Sequence, residues 1–490
     1  MHMTETENQN VHTKQLQPNY GIIAILLAGA FVSILNSTLL NVALPSMMTD
    51  FKVEPTTIQW LATGYMLING IIIPTTAYLI QKYSVRQLFI TAMILFTIGT
   101  VFSGFAPSFA VLLTGRMIQA AGSAIMMPLL MNVLLTSFPI EKRGSAMGIL
   151  GLVMTFAPAI GPTLSGWIIE HYEWRFLFYM IIPFAVIVLL FAIFKLKDRK
   201  ERSNASLDTL SVIYSSIGFG GLLYGFSSAG EKGWGDIEVY GTLVVGTIAL
   251  ILLVIRQFKL EKPMLDFRVY KYPMFSLASV ISIVVNMAMF SAMILMPIYL
   301  QNLRGISPLD SGLLMLPGAI IMGIMSPITG KLFDKFGGRI LAIIGLSITV
   351  ITTYLFSQLT LDTTYGSLIA IYSIRMFGMS MVMMPVMTNG MNALPARMNP
   401  HGTAVNNTLN QVSGAIGSAL LVSVMTSRTK VHIDELGPQG IVQATVEGIN
   451  DAFFIATFIA ALALVLAFFV KRPKRADEPV QSQESQNLSH

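Results

Sequence analysis

Apolar residues run in long unbroken stretches separated by short polar ones, from Tyr20 to Val470. A helix needs about 20 apolar residues to cross a bilayer core. Runs of that length fit fourteen times: 20–44, 57–80, 87–106, 109–136, 144–169, 175–194, 209–229, 240–259, 273–300, 310–332, 339–358, 364–393, 403–427 and 450–470. The runs are continuous, without the ten-residue alternation of barrel strands. The pattern predicts an all-α polytopic membrane protein with 14 transmembrane helices. The polar residues 1–19 are expected to form a disordered tail, and the run after them lacks a small-residue cleavage site, so it reads as a retained helix.

Charge between the runs sets the expected topology. Assigning connections alternately to two faces, twenty-three of the 31 Lys and Arg fall on one face and six on the other, while Arg116 and Arg375 lie inside runs. The basic face is expected to be cytoplasmic, with both termini on it, in a multi-pass protein of the cell membrane. The net charge of +6 then reflects membrane topology and gives no reason to expect a nucleic-acid partner.

Composition narrows the class further. Charged residues are 11% of the chain against roughly 25% in soluble domains. The absence of cysteine excludes disulfides and thiolate chemistry. No phosphate-cradling glycine loop ending in Lys-Ser/Thr and no metal-ligand cluster is present, so neither an enzyme, a metal nor a cofactor is expected.

An internal repeat runs through the chain. AYLIQKYSVRQL (77–88) aligns with GKLFDKFGGRIL (330–341), and RMIQAAGSAIMMP from Arg116 aligns with RMFGMSMVMMP from Arg375. The offsets fit two six-helix halves, 20–195 and 273–470. Between them lie a linker (196–208), an extra two-helix hairpin (209–259) and a second linker (260–272), and residues 471–490 read as a second tail. Parallel repeats of this kind place a substrate site near the bilayer midplane between the halves.

The stretch GILGLVMTFAPAIGPTLSG (148–166) carries four glycines, two prolines and no charge, a composition suited to close helix packing. Its core at Gly161, Pro162 and Gly166 resembles the antiporter motif of the fifth helix in drug:proton antiporters of the major facilitator superfamily. LNSTLLNVALP (35–45), WRFLFYMIIP (174–183), Gly233-Trp234-Gly235 and PIYLQNLRGISPLDSG (297–312) resemble further motifs of the fourteen-helix members, and the likeness covers nearly the whole chain. The resemblance is closest to bacterial multidrug and lincosamide exporters. It implies the major facilitator fold, two six-helix halves plus a two-helix insertion, and export of amphiphilic toxic compounds by alternating access in exchange for protons. The implied partners are small amphiphilic substrates, protons and the lipid bilayer, with the protein acting as a monomer. An exporter or flippase of lipids or fatty acids, and a non-transporting sensor or channel, remain as alternatives.

Candidate residues follow from motifs and from the cost of burying charge. The loop motif of the superfamily is nearly complete at Gly330, Leu332, Asp334, Lys335, Gly337, Gly338 and Arg339; in the first half Gln81 replaces the aspartate. Asp334 can pair with a basic side chain or face a helix end across the halves, latching one conformation. Arg116 matches the family arginine of helix four, and a mid-membrane charge, costing about 2.5 to 3.5 kcal/mol, normally faces a cavity or partner. Asn36 stands where many relatives carry a titratable aspartate, so Asp310 and Asp334 are retained among the proton-coupling or gating candidates with Arg116 and Arg339. For a substrate cavity the candidates are Asn36, Asn41, Met131, Asn132, Gln301, Met383, Met387 and Asn389, with Asn286 as a further polar contact, Met127 beside Met131, and the methionines at 376, 379, 383, 387 and 391 expected on one helix face.

Overall fold

The computed structural model describes residues 19–53, 55–58, 60–197, 208–261, 263–437 and 440–471. Almost all of both tails and most of the 196–208 linker lie outside these residues, as do the side chains of Asn41 and Pro162. Among the described residues fourteen helices are long and apolar enough to cross a membrane. They are α1 (Tyr20–Phe51), α2 (Trp60–Lys82), α3 (Val85–Gly104), α4 (Phe109–Ser137), α5 (Arg143–His171), α6 (Phe176–Lys195) and α7 (Thr209–Lys232). They continue with α8 (Ile237–Lys259), α9 (Pro273–Pro297), α10 (Pro308–Phe336), α11 (Gly338–Phe356), α12 (Tyr365–Asn392), α13 (Asn399–Leu436) and α14 (Ile441–Ala467).

Local chemistry sets the helix ends. Ser84 and Gln87 form a reciprocal capping box that starts α3, and Thr364 accepts from the Ser367 amide to start α12. Gly337 turns the chain from α10 into α11 at φ +82°, a left-handed conformation that only glycine adopts without strain.

The packing shows the repeat in three dimensions. Helix α1 packs on α4, α5 and α6, as α9 packs on α12, α13 and α14; α3 packs on α4 and α6, as α11 packs on α12 and α14. One apolar core, containing Phe89, Phe96 and Phe178, fills the first half and runs on into Met384, Met387 and Val405 of the second, and another, containing Tyr299, Phe356 and Phe453, lies within the second half. The halves meet along two seams, α5 against α10 and α13 against α2.

The two seams differ in closure. Along α5 and α10, small residues let the backbones touch. A Cβ added at Gly148 would lie 2.5 Å from the Ser326 carbonyl oxygen, and one at Gly144 2.6 Å from that of Gly330. Along the other seam α7 fits between α2 and α13: Gly70 faces Leu223 closely, and Phe219 and Leu223 form a small core with Val412 of α13. Trp60 stacks on Tyr224, and Trp234 in the hairpin turn donates to Ser423 Oγ at 2.7 Å. The inserted hairpin therefore belongs to the wall of the molecule. The outer face of α8 exposes Val244, Val245, Ile248, Ile251, Leu252 and Ile255, a surface suited to lipid.

Three spans depart from the sequence reading. Helix α12 breaks at Met381–Val382 into Tyr365–Ser380 and Met383–Asn392, because Pro385 cannot donate to the Met381 carbonyl and its ring crowds it. Helix α13 is 38 residues long, well beyond 403–427, because polar residues continue the helix past both ends of the apolar run. Helix α9 ends in a π-helical turn, Ile298–Leu303, which takes up Gln301.

Candidate functional site

A cavity lies between the halves, walled by α4, α5, α9, α12 and α13. Met127, Met131, Met154, Met383, Met384 and Met387 supply sulfur and flexible chains, and Leu150, Ile281, Val285, Val382 and Val386 supply branched apolar surface. The polar lining is Ser282, Asn286, Asn407 and Asn410. Among the described residues, no ionisable side chain and no aromatic ring lines it.

Of the sequence candidates with described side chains, Met127, Met131, Asn286, Met383 and Met387 line this cavity and the others are not among its lining residues. Asn36 and Asn132 are buried elsewhere, with Asn36 Nδ2 and Asn132 Oδ1 lacking a partner. Asn389 donates to the Lys471 carbonyl at 3.1 Å at the basic end, and Gln301 sits in the π-turn after α9. Asn41 has no described side chain. The methionine stripe is split by the break in α12: Met376 packs beside Gly318, and Met391 against Gly402. Sequence reasoning passed over Asn407 and Asn410, although the spacing of three in Asn-Asn-x-x-Asn (406–410) places them on one face of α13.

At the basic end Asp334 reaches from the last turns of α10 to the first turn of α5. Its Oδ1 accepts from the Gly144 amide at 2.8 Å, and its Oδ2 from the Ser145 amide at 2.9 Å and the Ser145 hydroxyl at 2.5 Å. A carboxylate of one half thus caps a helix of the other, where orphan amides and the helix dipole both favour negative charge. Arg143, in the same turn, donates to Asn392 Oδ1 at 3.2 Å, a second tie across the seam.

The repeat places Gln81 where Asp334 sits and His401 where Arg143 sits. The Gln81 amide lies 2.8 Å from His401 Nε2, and His401 Nδ1 accepts from the Asp266 amide at 3.1 Å. An accepting Nδ1 leaves the neutral ring's proton on Nε2, so the amide orientation that fits has its oxygen toward the ring. One seam is closed by a charge-assisted cap, the other by a neutral pair.

The two buried arginines are repeat partners with matching surroundings. Arg116 Nη1 donates to Gln119 Oε1 at 2.5 Å, Gln119 Nε2 donates to Thr100 Oγ1 at 2.7 Å, and the guanidinium lies 4.3 Å from the Tyr65 ring centre. Arg375 Nη2 donates to the Ala288 carbonyl at 2.7 Å and its Nε reaches Thr353 Oγ1 at 3.4 Å. Thr100 and Thr353 are themselves equivalent in the repeat. Neither arginine meets a carboxylate, and among the described residues no Asp or Glu is buried.

Three more candidates resolve into structural positions. Asp310 sits in the first turn of α10, its amide donating to Ser307 Oγ at 3.0 Å and its Oδ2 accepting from the Ser307 hydroxyl at 2.8 Å. That is a helix-capping arrangement on the face opposite the basic one. Arg339 is exposed in the first turn of α11. In the antiporter motif, Gly161 faces Thr38 of α1, whose Cβ would lie 2.8 Å from an added Cβ. Gly166 corrects the close-packing expectation, because an added Cβ there meets only Leu309 Cδ1 at 4.0 Å: α5 and α10 have diverged at that level.

The seams give opposite predictions. Asp334→Asn loses charge-assisted bonds, each worth about 1.5–3 kcal/mol, so opening at the basic end should rise by about tenfold or more. Gln81→Asp adds a carboxylate beside His401 and the start of α13, and should lower it. Both are read as the rate of maleimide labelling of Met383→Cys in the cysteine-free chain. Equal rates in all three proteins would show that these contacts do not hold the end closed.

Known proteins place this architecture. A sequence model described as Major Facilitator Superfamily matches residues 26–418. An uncharacterized MFS-type transporter, YcnB, of Bacillus subtilis (strain 168) is 52% identical over 93% of this chain and 96% of its own length. The lincomycin resistance protein LmrB of Listeria monocytogenes serovar 1/2a is 42% identical over 92% of this chain and 97% of its own. Among solved structures, the human organic anion transporter MFSD10 superposes with a TM-score of 0.67 at 12% identity, covering 92% of this chain and all of that one. The repeated six-helix halves, the cavity between them and the match over most of the sequence all have one source: the chain belongs to the major facilitator superfamily.

Proposed function

We propose that this protein is a secondary active exporter that moves uncharged or weakly charged amphiphilic compounds out of the cell in exchange for protons, working as a monomer in the plasma membrane with both termini cytoplasmic. The observation that carries the reading is the cavity itself. A methionine-rich, charge-free chamber between two repeated halves suits varied apolar shapes, because thioether chains repack at low cost. Its seal at the basic end, the Asp334 cap on α5, is a contact between halves that must break when that end opens. The likeness to a lincomycin resistance protein supports the direction of transport and the kind of cargo.

Among the described residues no carboxylate is buried, so proton exchange is read from the likeness to the drug:proton antiporters. The test is direct: proteoliposomes of the full chain, loaded with a fluorescent neutral amphiphile, with a pH gradient imposed. Movement driven by the gradient and collapsed by a protonophore is the expected result. Movement indifferent to the gradient would remove proton coupling, and no saturable movement at all would remove the exporter reading.

A further inference from the structure

The cavity's amides hold a fixed hydrogen-bonding pattern, and that pattern selects a ligand chemistry. Asn286 Nδ2 donates to the Ser282 carbonyl at 2.8 Å, which fixes its amide orientation, and also to Asn410 Oδ1 at 3.0 Å, which fixes the second amide. Asn407 Nδ2 donates to the Thr403 carbonyl at 2.9 Å, fixing the third. Its other N–H points at Met131 Sδ, 3.6 Å away across the seam between the halves, a long contact to a weak acceptor.

Among the described residues, Asn286 Oδ1, Asn407 Oδ1 and Asn410 Nδ2 meet no protein partner. The unused edge therefore offers two acceptor oxygens, the two N–H donors of the Asn410 amide and one Asn407 N–H held only by sulfur. A ligand body that covers this edge excludes water from it, and polar groups then left unmet are costly, so the edge favours a ligand that supplies complementary groups over one that leaves them empty.

Resting on the exporter reading, we infer that Asn286, Asn407 and Asn410 form a specificity edge for uncharged ligands that donate and accept hydrogen bonds at adjacent atoms, a carboxamide being the simplest such group, with the ligand's apolar body lying among the methionines. A cation or carboxylate finds no counter-charge in this lining, and a ligand with acceptors alone leaves both amide oxygens unmet.

The experiment compares para-octylbenzamide with methyl para-octylbenzoate, which share an apolar body and differ in donors. Binding to the detergent-purified full chain is measured by calorimetry, and both compounds are then assayed in proteoliposomes under a pH gradient. The benzamide should bind about tenfold tighter, the equivalent of about 1.4 kcal/mol. In Asn286→Leu/Asn410→Leu that ratio should fall to near one; the replacement removes two groups that bond each other, which limits the orphaned polarity it creates.

Equal binding of the two compounds by the unaltered protein overturns the inference and leaves the exporter reading standing. A ratio unchanged in the double variant also overturns it, because the preference then arises elsewhere. If the variant does not fold, the ratio in the unaltered protein still decides. If neither compound binds while another amphiphile is exported, this inference alone fails; if no amphiphile is bound or moved, the exporter reading fails with it.

Discussion

Gly330→Leu is expected to reduce transport by about a hundredfold or more while the protein still inserts into the membrane, and Gly148→Leu to do the same. At Gly330 an added Cβ would press on the Gly144 carbonyl oxygen, and at Gly148 it would lie 2.5 Å from that of Ser326. Both obstacles are backbone of the opposing helix, which cannot swing aside as a side chain does. Overpacking costs about 1–3 kcal/mol even in cores that relax. Here relaxation means separating α5 from α10, which also pulls the Asp334 carboxylate away from the Gly144 and Ser145 amides. Insertion depends on hydrophobicity, which leucine preserves. Gly161→Leu should also fail, because its Cβ would lie 2.8 Å from the Thr38 Cβ, an atom whose place the α1 backbone fixes, whereas Gly166→Leu should transport nearly normally, since nothing closer than 4.0 Å meets it. Drug uptake into everted vesicles at matched protein levels measures all four. Near-normal uptake by Gly330→Leu would show that the α5–α10 seam does not need to close.

The contrast between Gly161 and Gly166 marks where sequence stops being informative. A glycine pattern states that some backbone approaches, and at Gly161, Gly148 and Gly144 one does, but the divergence of two helices toward one face is a tertiary property that leaves the pattern unchanged at Gly166. The helix count and the two halves were legible because run length and repeat offset are one-dimensional quantities. The break in α12 was legible in principle from Pro385, yet Pro128 occupies the equivalent place in α4 and that helix runs through. Local chemistry alone does not separate the two.

The repeat also hides a compensation that only packing reveals. It aligns Tyr65 of α2 with Gly318 of α10, and Leu113 of α4 with Tyr372 of α12. In the first half the ring over the buried arginine comes from α2. In the second, Gly318 opens the space and Tyr372 fills it from α12, 2.6 Å from where a Cβ on Gly318 would sit. Read singly, each position looks like a loss of the repeat; together they keep an aromatic ring between the same two helices. Two of the three cavity amides were missed for a related reason. Asn407 and Asn410 lie in a polar part of the long α13, and it is their juxtaposition with Asn286 of α9 that makes them a site.

Asn36→Asp is expected to let the protein export bis-quaternary dyes that the unaltered chain handles poorly. Among the described residues the buried charges inside the bundle are Arg116 and Arg375, neither offset by a carboxylate, and the cavity lining is neutral. Moving a cation into a partly dehydrated chamber costs several kcal/mol unless a fixed anion compensates, and each 1.4 kcal/mol is about tenfold in affinity. Aromatic faces recover about 0.5–2 kcal/mol per cation elsewhere. Among the described lining residues there is no aromatic ring, and cation–π relief on that scale does not cover two charges. Asn36 lies outside the described cavity lining, but its Nδ2 has no partner, so replacing that nitrogen by a carboxylate oxygen breaks no bond, and a carboxylate buried there acts on the chamber through space. A carboxylate there also restores a titratable group to the first helix, and dye export should then fall as pH drops through the carboxylate range. Dye efflux from cells expressing each protein, with a neutral amphiphile as reference, measures the change as a ratio. Efficient dication export by the unaltered protein, unmoved by the substitution, would show that the internal charge inventory does not set selectivity.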